Sequence, residues 1–294
     1  MGLKEAINKQ KFIITCELAP PKGTDVSSLI EKAIELRDLV DAVNLTDGQG
    51  GNMRMCPLAA ATFLIKEKVD VIWQITCRDR NRIGLQSDVL GAWAIGIRNV
   101  LPMRGDDPKS GDHPDAKPVF DLDTTELIKV LNKLNQGFDM VGGELKGKTD
   151  LLIGCTAHPN APDLKKQKDT LQERFNLGAG FIQTQICYEP DQLKRFIDSL
   201  GDLAKLTIIG VTPLKSLKMA TFMNEKVFGV SVSQKLMERL EKSKDQKQEG
   251  LLIAKEIVDS LKTTGIGGIH VMAVGQEKEL PSIIQFLTKE KAKV

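Results

Sequence analysis

A single (β/α)8 barrel with a closed parallel sheet is the fold this sequence predicts, and three observations carry the expectation. Eight short apolar, β-branched runs recur along the chain, each bounded by Gly, Pro, Asp or Asn. A longer stretch with helical periodicity follows each run. The 294 residues also suit a barrel of this kind, which needs about 250. Repeated βα units imply a parallel sheet with right-handed crossovers, and nearly continuous hydrophobicity marks strands covered on both faces. An open, doubly wound sheet is the alternative. It usually shows a Gly-x-Gly-x-x-Gly turn after its first strand, whereas here the first run leads into Cys16-Glu17-Leu18-Ala19-Pro20-Pro21. One domain over 1–294 is expected, with no repeat beyond the βα period and no low-complexity tract.

The first strand is expected at 12–16. The helix after it, 26–39, places Leu29, Ile30, Ala33, Ile34 and Leu36 on one stripe and leaves Glu31, Lys32 and Arg37 for water. The next pairs are 42–45 with 57–67, 69–76 with 87–94, and 97–101 with 124–136. Asp123-Thr124-Thr125-Glu126 starts the last of these helices with a polar cap and an early acid. Strands at 151–155, 181–186, 206–211 and 268–273 are followed by main helices at 164–177, 192–204, 249–262 and 280–288. Two connections are long. Residues 102–123 form a loop whose length marks it as functional. Residues 213–249, between strand 7 and its main helix, read as two extra helices with a charged, solvated turn over 238–247.

Composition removes several function classes. The 41 basic and 39 acidic residues leave no electrostatic footprint for nucleic acid. No apolar run approaches the ~20 residues that cross a bilayer, and the N-terminus has no signal core. Five cysteines, odd in number and never in a C-x-x-C pair, suit reduced thiols in a cytoplasmic enzyme rather than disulfides or zinc. His113, His158 and His270 lack ligand spacing, so no metal is expected.

In such a barrel the chemistry sits at the C-terminal strand ends. Those ends deliver Glu17; Thr46, Asp47 and the turn Gly48-Gln49-Gly50-Gly51; Gln74, Thr76 and Cys77; Arg104, Gly105 and Asp106; Thr156 and His158; Thr184 and Gln185; Thr212 and Pro213. Glu17 stands out, because an apolar strand and Leu18-Ala19-Pro20-Pro21 would desolvate its carboxyl and favour the protonated, acid-donating form. The plainer reading of the chain alone is a rim carboxylate bonded to a neighbouring strand or to Lys22. Arg104-Gly105-Asp106 offers a cation and an acid around a residue that lets a flat ligand approach, or a salt-bridged loop anchor. Gln185 offers an amide for a heterocycle's polar edge, or one satisfied by main chain. The glycine-rich turn offers N–H groups to phosphate, a weak signal by itself. Cys77 and Cys155 read as packing residues.

The ordered motifs Cys16-Glu17-Leu18-Ala19-Pro20-Pro21, Gln74-Ile75-Thr76-Cys77, Gly96-Ile97-Arg98-Asn99-Val100 with Arg104-Gly105-Asp106, His158-Pro159, Gly178-Ala179 and Thr184-Gln185 resemble the methylenetetrahydrofolate reductase family through all eight βα units. The resemblance implies a flavin barrel of one-carbon metabolism, FAD or FMN bound, that reduces 5,10-methylenetetrahydrofolate to 5-methyltetrahydrofolate. It casts Glu17 as the general acid that opens the folate ring to an iminium, Asp106 as the acid that contacts pterin and tunes flavin, and Gln185 as the folate-holding amide. It places Thr46, Gln74, Thr76, Arg104, Gly105, Asp106, His158 and Arg174 at or near the flavin, whose N5 passes a hydride to the iminium carbon. Four positions depart from the bacterial pattern: Gln74 for a histidine, Met223 for an aromatic, Gly154 for a tyrosine and Gln167 for an acid. The resemblance is greatest to short forms from acetogens and related bacteria. The implied reductant is therefore NAD(P)H or an electron-delivering partner subunit, in an oligomer or heteromeric complex. Two other functions fit the residues: a pterin-binding barrel that transfers one-carbon groups without redox chemistry, and a non-catalytic folate-binding or scaffold subunit of an electron-transfer complex.

Overall fold

The computed structural model describes residues 2–227 and 229–289. Eight strands, β1 (Ile13–Leu18), β2 (Ala42–Leu45), β3 (Val71–Thr76), β4 (Asn99–Met103), β5 (Leu152–Ala157), β6 (Phe181–Ile186), β7 (Thr207–Val211) and β8 (Gly268–Val271), follow one another in sequence order around a closed barrel. Eleven described helices accompany them: α1 (Leu3–Asn8), α2 (Ser27–Leu36), α3 (Pro57–Lys66), α4 (Arg82–Ala94), α5 (Thr124–Gln136), α6 (Leu164–Asn176), α7 (Pro190–Leu200), α8 (Leu217–Lys226), α9 (Gln234–Lys242), α10 (Gln246–Leu261) and α11 (Leu280–Thr288). β2 pairs with β3 in parallel, Val43 opposite Val71, and β3 with β4, Gln74 opposite Leu101. This is the predicted (β/α)8 fold.

Close packing divides the chain into two units. Among the described residues, the first gathers Cys16–Thr156 and Thr170–Ile182 with those up to Glu5; the second gathers Ala6–Thr15, Ala157–Asp169 and those from Gln183 onward. In the first unit every residue of β2 and β3 is buried, which is why those runs read as continuously apolar. Trp73, Leu64, Leu85 and Phe181 are fully covered there. In the second, Phe196, Ile269 and Leu261 supply the core, and Ile13 N–H donates to the Gly267 carbonyl at 2.8 Å.

Local chemistry explains most boundaries. α5 opens with the predicted cap: the Asp123 side chain accepts from Glu126 N–H while Glu126 reaches back to Asp123 N–H. α4 starts at Arg82 rather than 87. Asn81 caps it by accepting from Ile83 and Gly84 N–H, and Ile83, 71% exposed, breaks the apolar period that placed the start later. α1 had no signal in the pattern; it is tied down by Leu3 N–H donating to Asp70 Oδ2 at 2.7 Å. α7 ends at Leu200 instead of 204, because Gly201 turns the chain at φ +59° into a 3-10 segment. Both extra helices between β7 and its main helix are present as α8 and α9. The expected turn is shorter, since α9 runs through Lys242 with Leu240 buried and Arg239 paired to Glu249 and Glu256.

Candidate active site

The first unit holds the densest polar construction, at the C-terminal ends of β1 to β4. After β2, Gly48, Gly50 and Gly51 all take positive φ, which compresses Gln49–Gly51 into one 3-10 turn. From this turn Gln49 Nε2 donates to Glu17 Oε1 at 3.1 Å, and Gly50 N–H donates to Asp106 Oδ2 at 2.7 Å. Two carboxylates, one from β1 and one from the loop after β4, are thus bound to adjacent residues of one turn. Glu17 is half-buried rather than sealed among apolar groups, and its carboxylate is met by the Gln49 amide. The glycine-rich turn's Gly50 N–H serves a carboxylate of the protein itself.

Buried charge fixes the base of this array. Asp47, 7% exposed, accepts at Oδ2 from Thr76 N–H (2.9 Å), Thr76 Oγ1 (3.0 Å) and Arg80 Nη1 (2.8 Å). Arg80 also donates from Nε to Asp88 at 2.7 Å. Arg78 contacts main-chain oxygens of Asp47, Gly48 and Asp106. The sequence pattern names Gln49 only as a member of the glycine-rich turn and does not point to Arg78 or Arg80, although Cys77-Arg78-Asp79-Arg80-Asn81-Arg82 is a charge cluster at a strand end that signals them. Gly105 sits at φ +88°, where an added Cβ would lie 2.9 Å from Arg78 Cβ and 3.0 Å from Thr76 Cβ. Arg104 lies over the Phe120 ring at 4.1 Å, a cation–π contact rather than a bond to Asp106. The long 102–123 loop is bound down where Asp112 accepts from Met53 N–H at 2.9 Å and pairs with Lys22.

Thr46 is 1% exposed and its Oγ1 has no hydrogen-bond partner among the described residues. Gln74 and Thr76 are buried in β3. Arg174 donates to Thr125 Oγ1 at 3.2 Å and the Thr156 carbonyl at 3.1 Å, which joins α6 to α5 and the end of β5.

In the second unit Gln185 is half-buried at the end of β6, its side-chain oxygen accepting from Ile186 N–H at 2.9 Å. Thr184 Oγ1 donates to the Gln185 carbonyl and accepts from Gly210 N–H. His158 is held by Gln167, whose Oε1 accepts from His158 N–H at 3.0 Å while Nε2 donates to its carbonyl at 2.6 Å. That two-way clamp requires an amide; a carboxylate at 167 has no N–H to give. Met223 is buried in α8. Among the described residues no group of three or more His, Cys, Asp or Glu could hold a metal ion, and no helix is long and apolar enough to cross a membrane.

Fold and strand-end chemistry define the class: a parallel (β/α)8 barrel with acids, amides and hydroxyls at its strand ends. Solved barrels share the fold at low identity. Phosphonopyruvate hydrolase superposes with a TM-score of 0.54 at 10% identity, over 96% of this chain and 83% of that one. 2,3-Dimethylmalate lyase gives 0.52 at 12%, over 96% and 84%. The sequence matches the methylenetetrahydrofolate reductase family over residues 2–288, and the chain belongs to that family. It is 27% identical to methylenetetrahydrofolate reductase 2 of Schizosaccharomyces pombe, over 92% of this chain and 44% of that protein. It is 23% identical to 5,10-methylenetetrahydrofolate reductase of Pectobacterium carotovorum, over 91% and 89%. A probable methylenetetrahydrofolate reductase (NADH) of Oryza sativa is 22% identical, over 97% and 50%. The chain therefore spans about half the length of the eukaryotic relatives and most of the bacterial one.

Proposed function

We propose that this protein reduces 5,10-methylenetetrahydrofolate to 5-methyltetrahydrofolate as a single flavin- and folate-binding barrel, 1–294, in the cytoplasm. The observation that carries the reading is the array Glu17–Gln49–Gly50–Asp106 in a member of this family. The residues present fit a flavin. The buried Thr46 hydroxyl, without a partner among the described residues, is a donor and acceptor held in readiness. Gly105 takes positive φ, and the space a Cβ would fill there is taken by Arg78 and Thr76, so it sets the course of the backbone beside the site. Thr46, Arg104, Gly105 and Asp106 would hold it, supported by Gln74 and Thr76 and, more distantly in sequence, by His158 and Arg174. FAD and FMN both meet these requirements.

When bound, the flavin supplies the hydride; the protein supplies placement and protons. Glu17, steadied by Gln49, donates a proton to the folate nitrogen whose bond to the one-carbon unit must break, leaving an electrophilic carbon. Asp106, oriented by Gly50 N–H, bonds the pterin edge. Gln185, its carboxamide turned by the bond to Ile186 N–H, holds the folate. Reduction comes from NAD(P)H or from an electron-delivering partner subunit. Met223, where the family resemblance expects an aromatic, is buried in α8, and the assembly is read as an oligomer or heteromeric complex.

The test is release and identification of the bound cofactor, followed by Glu17→Gln. Protein that purifies yellow and yields FAD or FMN is expected. Glu17→Gln should keep its flavin and its reduction by the donor, yet lose roughly 10²- to 10⁴-fold in folate reduction. Colourless protein overturns the flavin reading, and retained folate turnover removes Glu17 as the acid. Anaerobic mixing with NADH separates the two donors.

A further inference from the structure

We infer that Arg78 is a positioning residue for the proposed reaction: its guanidinium fixes the spacing of Glu17 and Asp106 by anchoring the two loops that carry their contacts. Arg78 follows β3 and is 5% exposed. A guanidinium has five N–H donors and no acceptor, and here five bonds are made. Nε donates to Asp79 Oδ1 at 2.9 Å and Nη2 to Asp79 Oδ2 at 2.7 Å, the two-pronged pairing that suits a planar fork. Nη1 donates to the carbonyls of Gly48 (3.0 Å) and Asp106 (3.4 Å), and Nη2 to that of Asp47 (3.4 Å). One side chain thus joins the turn after β2 to the loop after β4.

The glycines on both sides are shaped around it. A Cβ on Gly48 would run into Arg78 Nη2, and one on Gly105 would crowd Arg78 Cβ. What the guanidinium grips is the backbone that presents Gln49 to Glu17 and Gly50 N–H to Asp106. None of these five bonds goes to the Glu17 or Asp106 carboxylate; they act on the two acids through the loops, and the guanidinium's charge also faces Asp106. Lysine cannot replace it, since an ammonium has three donors and no plane.

This inference rests on the proposed reaction, and the experiment separates the two. In full-length Arg78→Lys, hydrogen–deuterium exchange read by mass spectrometry should rise about tenfold or more over 47–54 and 104–112, with α4 unchanged. Turnover of methylenetetrahydrofolate should lose roughly 10- to 100-fold in kcat with KM within about threefold, because misplacement of about 1 Å costs on that order. Asp79→Ala, which removes the fork and leaves the three carbonyls, should shift both readouts the same way and less. It serves in place of Arg78→Lys if that variant does not fold. Parental exchange in both loops overturns the anchoring. Loosened loops with parental kcat overturn the positioning role. A parent inactive on methylenetetrahydrofolate overturns the proposed reaction and the catalytic half of this inference, while loop exchange still decides the anchoring half.

Discussion

Asp47→Ala is the sharpest test of how the strand ends are held. The substitution removes a carboxylate that is 7% exposed and accepts from Thr76 N–H, Thr76 Oγ1 and Arg80 Nη1. Breaking a buried pair by deleting one partner costs about 3–5 kcal/mol, because a charge is left uncompensated. Here Arg80 keeps Asp88 at 2.7 Å, so the lower end applies, about 3 kcal/mol. Urea unfolding followed by tryptophan fluorescence reads it well, since Trp73 lies in β3 three residues before Thr76. With a slope of about 3 kcal/mol/M the midpoint should fall by about 1 M. A double variant, Asp47→Ala with Arg80→Met, should recover more than half of that loss, because apolar replacement removes the stranded cation. A loss below about 1 kcal/mol, the scale of an exposed pair, would refute the reasoning. So would a double variant no more stable than the single one.

Two further outcomes follow from packing and burial. Gly154→Ala puts a Cβ 2.5 Å from Phe181 Cζ and 2.9 Å from Leu101 Cδ1, both side chains being covered. It should lower stability by about 1–3 kcal/mol in thermal melts, and Phe181→Leu in that background should restore part of it; an unchanged melting temperature argues against overpacking. Burial pushes the Cys77 and Cys155 thiols up to about 12 and the Cys187 thiol to about 11, and raises Cys16 further, while Cys56 is exposed. Raised values keep thiols protonated at pH 8 and slow to react, so a disulfide reagent should titrate one fast equivalent and four more after unfolding. Two fast equivalents would contradict that burial.

Element types and order were legible in the residues because strand and helix periodicity is a local property. β2 and β3 read as buried strands because they are buried along their whole length, and α5 announced its start with Asp123 and Glu126. The strand-end positions of Glu17, Asp106 and Gln185 came from the same source. Gly201, Asn81 and Ile83 moved helix ends by a few residues, since a turn or a cap there outweighs the apolar period.

Tertiary structure decided which of those strand-end groups are joined, and through what. Glu17 and Gln49 are 32 residues apart, Gly50 and Asp106 are 56 apart, and Arg78 reaches 30 residues back and 28 forward. No pattern within a window of the sequence encodes such bonds. They exist because parallel crossovers bring successive strand ends side by side, so that loops distant in the chain share one guanidinium. The residues named the chemistry available; the side-by-side order of β1 to β4 decided which atoms meet.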